Sequence, residues 1–151
     1  AALQQLNYTT GSGGYTNSTT PSIWPSKGVI TSPYGTRVDP VTGAASAFHE
    51  GVDIADDYGT PIVATAAGTV TFAGYTEGGY GNLVEIDHGN GFVTRYGHNS
   101  AVLVTPGMTV KQGQVIALMG STGKSTGAHV HYEVRINGSA VDPMVFLPIS
   151  N

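Results

Sequence analysis

His129-Val130-His131-Tyr132-Glu133-Val134-Arg135-Ile136 is the most legible strand in the chain. Side chains of an extended backbone alternate between faces with period two. One face therefore carries His129, His131, Glu133 and Arg135, and the other carries Val130, Tyr132, Val134 and Ile136. An apolar face suited to a core backs a face crowded with ionisable groups. Solvent-facing strand positions usually hold Thr, Ser or Lys, so two His and a Glu in line suggest a site.

The same texture extends outward from this stretch. Short β-rich runs separated by Gly or Pro are expected at residues 29–31, 51–54, 61–64, 69–73, 83–87, 92–96, 114–119 and 130–136. His88-Gly89-Asn90-Gly91 joins two of them as a hairpin, because Asn-Gly readily adopts the positive φ of a tight turn. Charged residues make up only 11% of the chain and Gly contributes 22 residues, which disfavours long amphipathic helices and favours strands with tight turns. The expected fold is all-β, a compact antiparallel sheet core with loops walling a groove.

At 151 residues the chain holds one domain with a real core. Residues 1–23 carry no charge and are rich in Thr, Ser, Gly, Asn and Gln, so they read as a flexible linker or a surface-draped tail. The domain is expected over residues 24–151. With a formal charge of −4 and six Lys and Arg scattered singly, the chain lacks the basic stripe of a nucleic-acid binder. No apolar run approaches the roughly 18 residues of a membrane span. The sequence begins without a signal peptide, at a mature-looking Ala1. There is no Cys, so any metal site must use His, carboxylate or backbone oxygen.

Two His clusters could do chemistry. Alternate strand residues lie about 6.6 Å apart, so the rings of His129 and His131 reach one cavity. One of them can ligate a metal while the other handles protons. His49-Glu50-Gly51-Val52-Asp53 is the second cluster. In a straight strand His49 and Asp53 would be about 13 Å apart, too far for one zinc. Gly51 and β-branched Val52 and Ile54 argue against a helix, which leaves a turn at Gly51 folding His49 back toward Asp53. Likeness to the helical zincin motif, with Glu50 as base, is accidental because the fifth position is Asp. Two His and one carboxylate around an open position is the composition of a catalytic zinc site, whose bound water is acidified toward a pKa of about 7. Glu133 suits either a partner that orients a ligating His or a surface salt bridge. His88, in the hairpin turn with no partner motif, is expected to be structural. Asp56 and Asp57 are expected to face water.

The order and spacing of these motifs resemble the lysostaphin/LytM-type zinc endopeptidases, which cut peptidoglycan. His49-x-x-x-Asp53, Tyr96-Gly97-His98 and His129-x-His131 carry the resemblance. Ser32-Pro33-Tyr34-Gly35-x-Arg37, Gly79-Tyr80-Gly81-Asn82, the Gly-rich stretch 120–127 and Val141-Asp142-Pro143 support it, so that it spans about Trp24 to Leu147. The resemblance implies one zinc ion per chain on His49, Asp53 and His131, with His98 and His129 in catalysis. Its fold is an antiparallel β core with a narrow groove. Ala is common where Gly97 stands. Tyr34, Arg37 and Asn82 are candidates for substrate contacts, and the Gly-rich stretch would keep the groove wall low. The implied protein is a bacterial, secreted or cell-envelope zinc metalloendopeptidase, a monomer acting on peptidoglycan peptides. The competing reading is a noncatalytic peptidoglycan-binding or hydrolase-activating relative of the same fold. Whether glycine bridges or D-amino-acid cross-links are cut stays open.

Overall fold

A computed structural model describes residues 15–38 and 45–149, with side chains except at 37, 38 and 45–47. Its strands are β1 (Val29–Ser32), β2 (Gly35–Val38), β3 (Ala45–His49), β4 (Val52–Ala55), β5 (Pro61–Val63), β6 (Gly68–Thr76) and β7 (Gly81–Gly89). They continue as β8 (Phe92–Asn99), β9 (Ala101–Val102), β10 (Thr109–Val110), β11 (Val115–Leu118), β12 (His129–Ile136) and β13 (Ser139–Val141). A single 3-10 turn, Pro143–Val145, is the only helical element among the described residues. Every strand pair is antiparallel. The all-β expectation holds.

The main sheet has eight strands in the order β1-β4-β12-β8-β7-β6-β10, with β13 added beside β12. β5-β11-β9 form a three-stranded sheet and β2-β3 a hairpin of their own. Between β7 and β8, Asn90 and Gly91 both take positive φ (54° and 83°), the tight turn that Asn-Gly signals. The strand β12 behaves as its period requires. Val130, Tyr132 and Val134 are buried in the core with Ile54, Val84, Ile86 and Ile116. Its other face looks into a cleft.

Two threonines and two tyrosines pair their hydroxyls inside the core. The hydroxyls of Tyr96 and Tyr132 meet on Thr65 Oγ1 at 3.0 and 2.7 Å, and Thr94 Oγ1 lies 2.7 Å from Tyr96. This matters because a buried hydroxyl without a partner costs about 1–3 kcal/mol. His88 extends the chain. It belongs to β7 rather than to the turn, because β7 runs on to Gly89; its Nε2 accepts from Thr94 at 2.7 Å and its Nδ1 donates to the Ala67 carbonyl at 2.9 Å.

Burial holds the His88 imidazole below its ordinary pKa of 6.5, against the Ala67 carbonyl and Asp87, which favour its charged form. A group depressed in this way contributes stability that is complete above the unfolded pKa and is lost as the pH falls below it. Melting temperature should therefore decline as the pH is lowered from about 7 to 5. His88→Gln should melt lower at neutral pH and show a shallower decline. An unchanged slope in the variant would remove His88 from the explanation.

Residues Tyr15 to Ile23, read from sequence as part of a tail, lie against the domain. Thr16 and Gln112 exchange backbone hydrogen bonds at 3.1 and 2.9 Å, and the Gln112 amide donates to the Thr20 and Thr65 carbonyls. The first fourteen residues lie outside the described ones.

Candidate metal centre

Three neighbouring strands build the site. β4 and β12 pair so that Asp53 sits directly opposite His131, and β12 and β8 pair so that His131 sits opposite Gly97. The sheet register thus sets Asp53 and His131 side by side on the cleft face. His49 arrives from β3, which belongs to the separate hairpin, across a bend at Glu50-Gly51. Glycine is required at 51 for closeness: an added Cβ would stand 2.3 Å from the Tyr132 carbonyl oxygen. The bend brings His49 Nε2 to 3.3 Å from Asp53 Oδ1.

His98 is placed by a different device. Alternation from Tyr96 would send it to the core side. Between Tyr96 and Asn99, however, β8 spends three steps while β7 spends two, from Val84 to Asn82. That extra residue is a β-bulge, and bulges re-aim side chains. His98 takes φ 67°, unusual for a residue other than glycine, and its ring turns into the cleft. Its own N–H, bonded to the Tyr80 carbonyl at 2.6 Å, holds the strained turn.

All four cleft histidines are arranged alike. Each gives one ring N–H to a fixed acceptor, a backbone carbonyl for three of them and a carboxylate for His131, and turns its other nitrogen inward. His49 Nδ1 donates to the Pro33 carbonyl (2.8 Å), His98 Nδ1 to the Thr122 carbonyl (2.7 Å) and His129 Nδ1 to the Gly127 carbonyl (2.9 Å). His131 differs in using Nε2, which donates to Glu133 Oε2 at 2.8 Å.

Three acceptors consequently converge. His49 Nε2 lies 3.2 Å from His131 Nδ1, and Asp53 Oδ1 lies 2.9 Å from His131 Nδ1. Two ring nitrogens and a carboxylate oxygen therefore crowd one spot, where either a proton or a cation relieves their repulsion. Donors about 2.0–2.2 Å from a tetrahedral metal stand about 3.3–3.6 Å apart, and the separations here, 2.9 to 3.3 Å, need only a few tenths of an ångström to reach that. His49, Asp53 and His131 can hold a metal ion, and the site is the metal-competent His, Asp and Glu cluster among the described residues. Without a bound cation, the same crowding draws protons to the cluster. Burial alone would raise the Asp53 carboxyl, yet hydrogen bonds from His131 and His49 hold it well below the usual carboxylate range. Burial alone would lower His131, yet Asp53 and Glu133 beside it raise it to about 9.

The cleft around these residues encloses about 690 Å³. His129 projects beside His98, their ring centroids 4.6 Å apart, with His129 Nε2 3.8 Å from Asp53 Oδ1. Burial lowers the His98 pKa, and His129 and His131 lower it further against the pull of the Thr122 carbonyl and Asp53. Phe48, Glu50, Gly78, Gly79 and Tyr80, with Lys124 to Thr126, complete its lining.

Three expected substrate contacts are placed elsewhere or not described. Tyr34 stacks edge-on against Phe48 at 5.0 Å and gives its hydroxyl to the Ala140 carbonyl, so it braces a residue of the cleft wall. Asn82 ties its amide to the Asn99 carbonyl and its backbone N–H to Thr122 Oγ1, fastening the loop that carries Thr122. Neither lines the cleft. The side chain of Arg37 lies outside the described residues. In the 120–127 loop, Gly123 has a packing role as well. Gly81 and Gly123 allow two loops to touch, since a Cβ on either would fall within 2.5 Å of the other loop's backbone. That contact is what sets the Thr122 carbonyl under His98.

Sequence reasoning missed Tyr80. Its hydroxyl donates to Glu133 Oε2 at 2.7 Å, and its ring occupies space opened by Gly97, where a Cβ would come within 3.1 Å of it. An aromatic residue between two glycines was the only local signal.

Comparison with known proteins agrees with this geometry. Residues 47–143 match the model of peptidase family M23. The chain belongs to that family. A DD-carboxypeptidase/endopeptidase, Mpg, of Neisseria meningitidis is 49% identical over 120 residues, covering 79% of this chain and 27% of the relative. The murein hydrolase activator NlpD of Escherichia coli is 40% identical over 125 residues, covering 83% of this chain and 31% of the relative. The chain thus spans less than a third of either. Among solved structures, a zinc-containing peptidase from Vibrio cholerae superposes with a TM-score of 0.74 at 36% identity, covering 86% of this chain and 39% of that one. The catalytic domain of lysostaphin from Staphylococcus simulans gives 0.70 at 34% identity, covering 78% and 90%. No helix among the described residues is long and apolar enough to cross a membrane.

Proposed function

We propose that residues 24–151 form a zinc metalloendopeptidase domain that hydrolyses peptide bonds in the stem peptides or cross-bridges of bacterial peptidoglycan. The observation that carries this reading is the convergence of His49 Nε2, Asp53 Oδ1 and His131 Nδ1, with the other nitrogen of each ring already committed to Pro33 or Glu133. A module that only recruits another hydrolase has no use for such a set. Three protein ligands leave a fourth position open, the hallmark of a catalytic zinc site; zinc there supplies a Lewis acid for the scissile carbonyl and acidifies the attacking water.

The chain's own groups do the rest. His129, with Nδ1 anchored on Gly127, and His98, with Nδ1 anchored on Thr122, each offer Nε2 to take a proton from water and return it to the leaving amine. Protonated, either ring donates to the developing oxyanion. An extended peptide enters between Phe48 and the glycines at 78 and 79. Because peptidoglycan lies outside the cytoplasmic membrane, the domain works secreted or in the cell envelope. It acts as a monomer, since every group invoked comes from one chain.

Digestion of purified peptidoglycans of several cross-link types tests this. One zinc per chain and new amino groups are expected, with mass spectrometry of the fragments naming the bond. A fully zinc-loaded protein that releases no amino groups from any wall type would overturn the peptidase reading and favour a binding or hydrolase-activating role like that named for NlpD.

A further inference from the structure

Glu133 is 1% exposed, yet it is a carboxylate, and its two oxygens face different company. Oε1 accepts from Arg135 Nε at 2.8 Å, with Arg95 Nη1 at 3.8 Å. Oε2 has no arginine; it accepts from His131 Nε2 at 2.8 Å and from the Tyr80 hydroxyl at 2.7 Å. A plain structural salt bridge needs only the first oxygen. Resting on the metal-site reading above, we propose that Glu133, held by Tyr80, is a positioning residue that obliges His131 to ligate through Nδ1.

The argument runs through the tautomer. A neutral imidazole has one N–H and one lone pair. With Nε2–H committed to Glu133, the lone pair lies on Nδ1, which faces Asp53 and His49. Without that acceptor, the proton moves to Nδ1, where Asp53 Oδ1 waits at 2.9 Å. His131 and Asp53 would then close on each other and the third donor would be lost. Partners beyond the ligands commonly change metal affinity by about 10–100-fold.

The surrounding sheet holds the carboxylate still. Glu85, Arg95 and Glu133 stand directly opposite one another across β7, β8 and β12. Arg95 Nε reaches Glu85 at 2.7 Å, and Arg135 reaches out to Glu50 at 3.2 Å. Arg95 Nη1 also donates to the Tyr80 oxygen at 3.2 Å, polarising the phenol toward Glu133. Tyr80 is part of the cleft wall, so the device that aims the ligand also lines the path of the substrate.

Zinc affinity measured on metal-free protein with a competing chromophoric chelator reads the effect directly. Glu133→Gln is expected to bind zinc about 10–100-fold more weakly than the unsubstituted protein, and Tyr80→Phe, which removes one hydroxyl and leaves the buried charges intact, several-fold more weakly. Nitrogen-15 spectra of the zinc-loaded protein should show His131 protonated at Nε2 and bound through Nδ1. Metallation at Nε2, or wild-type affinity in both variants, overturns the proposal. His49→Ala is the control that separates this failure from a wider one. If His49→Ala abolishes zinc binding while Glu133→Gln and Tyr80→Phe do not weaken it, only the role of Glu133 falls. If His49→Ala binds as tightly as the parent, the metal-site reading falls with it.

Discussion

Asp53→Ala is expected to leave a folded protein that retains no stoichiometric metal and has lost at least about 10³-fold of its peptidase activity, a barrier increase of roughly 4 kcal/mol. Among the three convergent acceptors Asp53 is the anion, and it touches both imidazoles, at 2.9 Å to His131 and 3.3 Å to His49. Two neutral rings facing each other at 3.2 Å offer a cation far less. The fold is not at risk, because Asp53 turns to the cleft while its neighbours Val52 and Ile54 fill the core. Metal analysis after dialysis, circular dichroism and peptidoglycan digestion measure the three parts separately. Chelation of the unsubstituted protein should reproduce the loss, and added zinc should restore activity there but not in the variant. Retention of one zinc per chain with undiminished turnover in Asp53→Ala would place the centre elsewhere.

What could be read in the sequence depended on whether the deciding interaction was local. The period of β12 separates Val130, Tyr132 and Val134 from His129, His131 and Glu133 without any partner strand in view, and the structure keeps that division. A bend between His49 and Asp53 followed from distance together with Gly51, Val52 and Ile54, which argue against a helix. Its steric cause did not, since the clash at Gly51 is with Tyr132, far along the chain. The bulge that turns His98 inward exists only as a mismatch between β7 and β8, so alternation within β8 misplaces that residue. Strands of two or three residues, β9, β10 and β13, are too short to show a period. The hairpin β2–β3 contains Gly35 and sits outside the main sheet, which blurs its pattern. Tyr34 was a candidate for its nearness to His49 in sequence and Asn82 for its place in a supporting motif; their hydrogen bonds to the Ala140 and Asn99 carbonyls join chain segments that the sequence alone does not bring together.

His129→Ala and His98→Ala should each lower kcat by about 10²–10⁴-fold, the usual worth of a positioned acid or base, while zinc remains bound. The two rings qualify by preparation as much as by position. Thr122 and Gly127 carbonyls take their Nδ1 protons, so that each leaves Nε2 free for the substrate side, and neither ring enters the donor set of the metal. His129 is further steadied by Ser125, whose hydroxyl lies 3.2 Å from Nδ1. His98 is kept in a left-handed backbone that other residues resist, at a bulge whose cost the fold sustains in order to present that ring. If the pair serves one proton-transfer event, the double variant should fall only about as far as the worse single one, since residues acting as a unit are not additive. Losses that multiply would mean separate duties, one at attack and one at departure of the amine. Zinc content separates both outcomes from loss of the metal. A zinc-loaded His129→Ala protein with unaltered kcat would remove that ring from the chemistry and leave His98 to carry it alone.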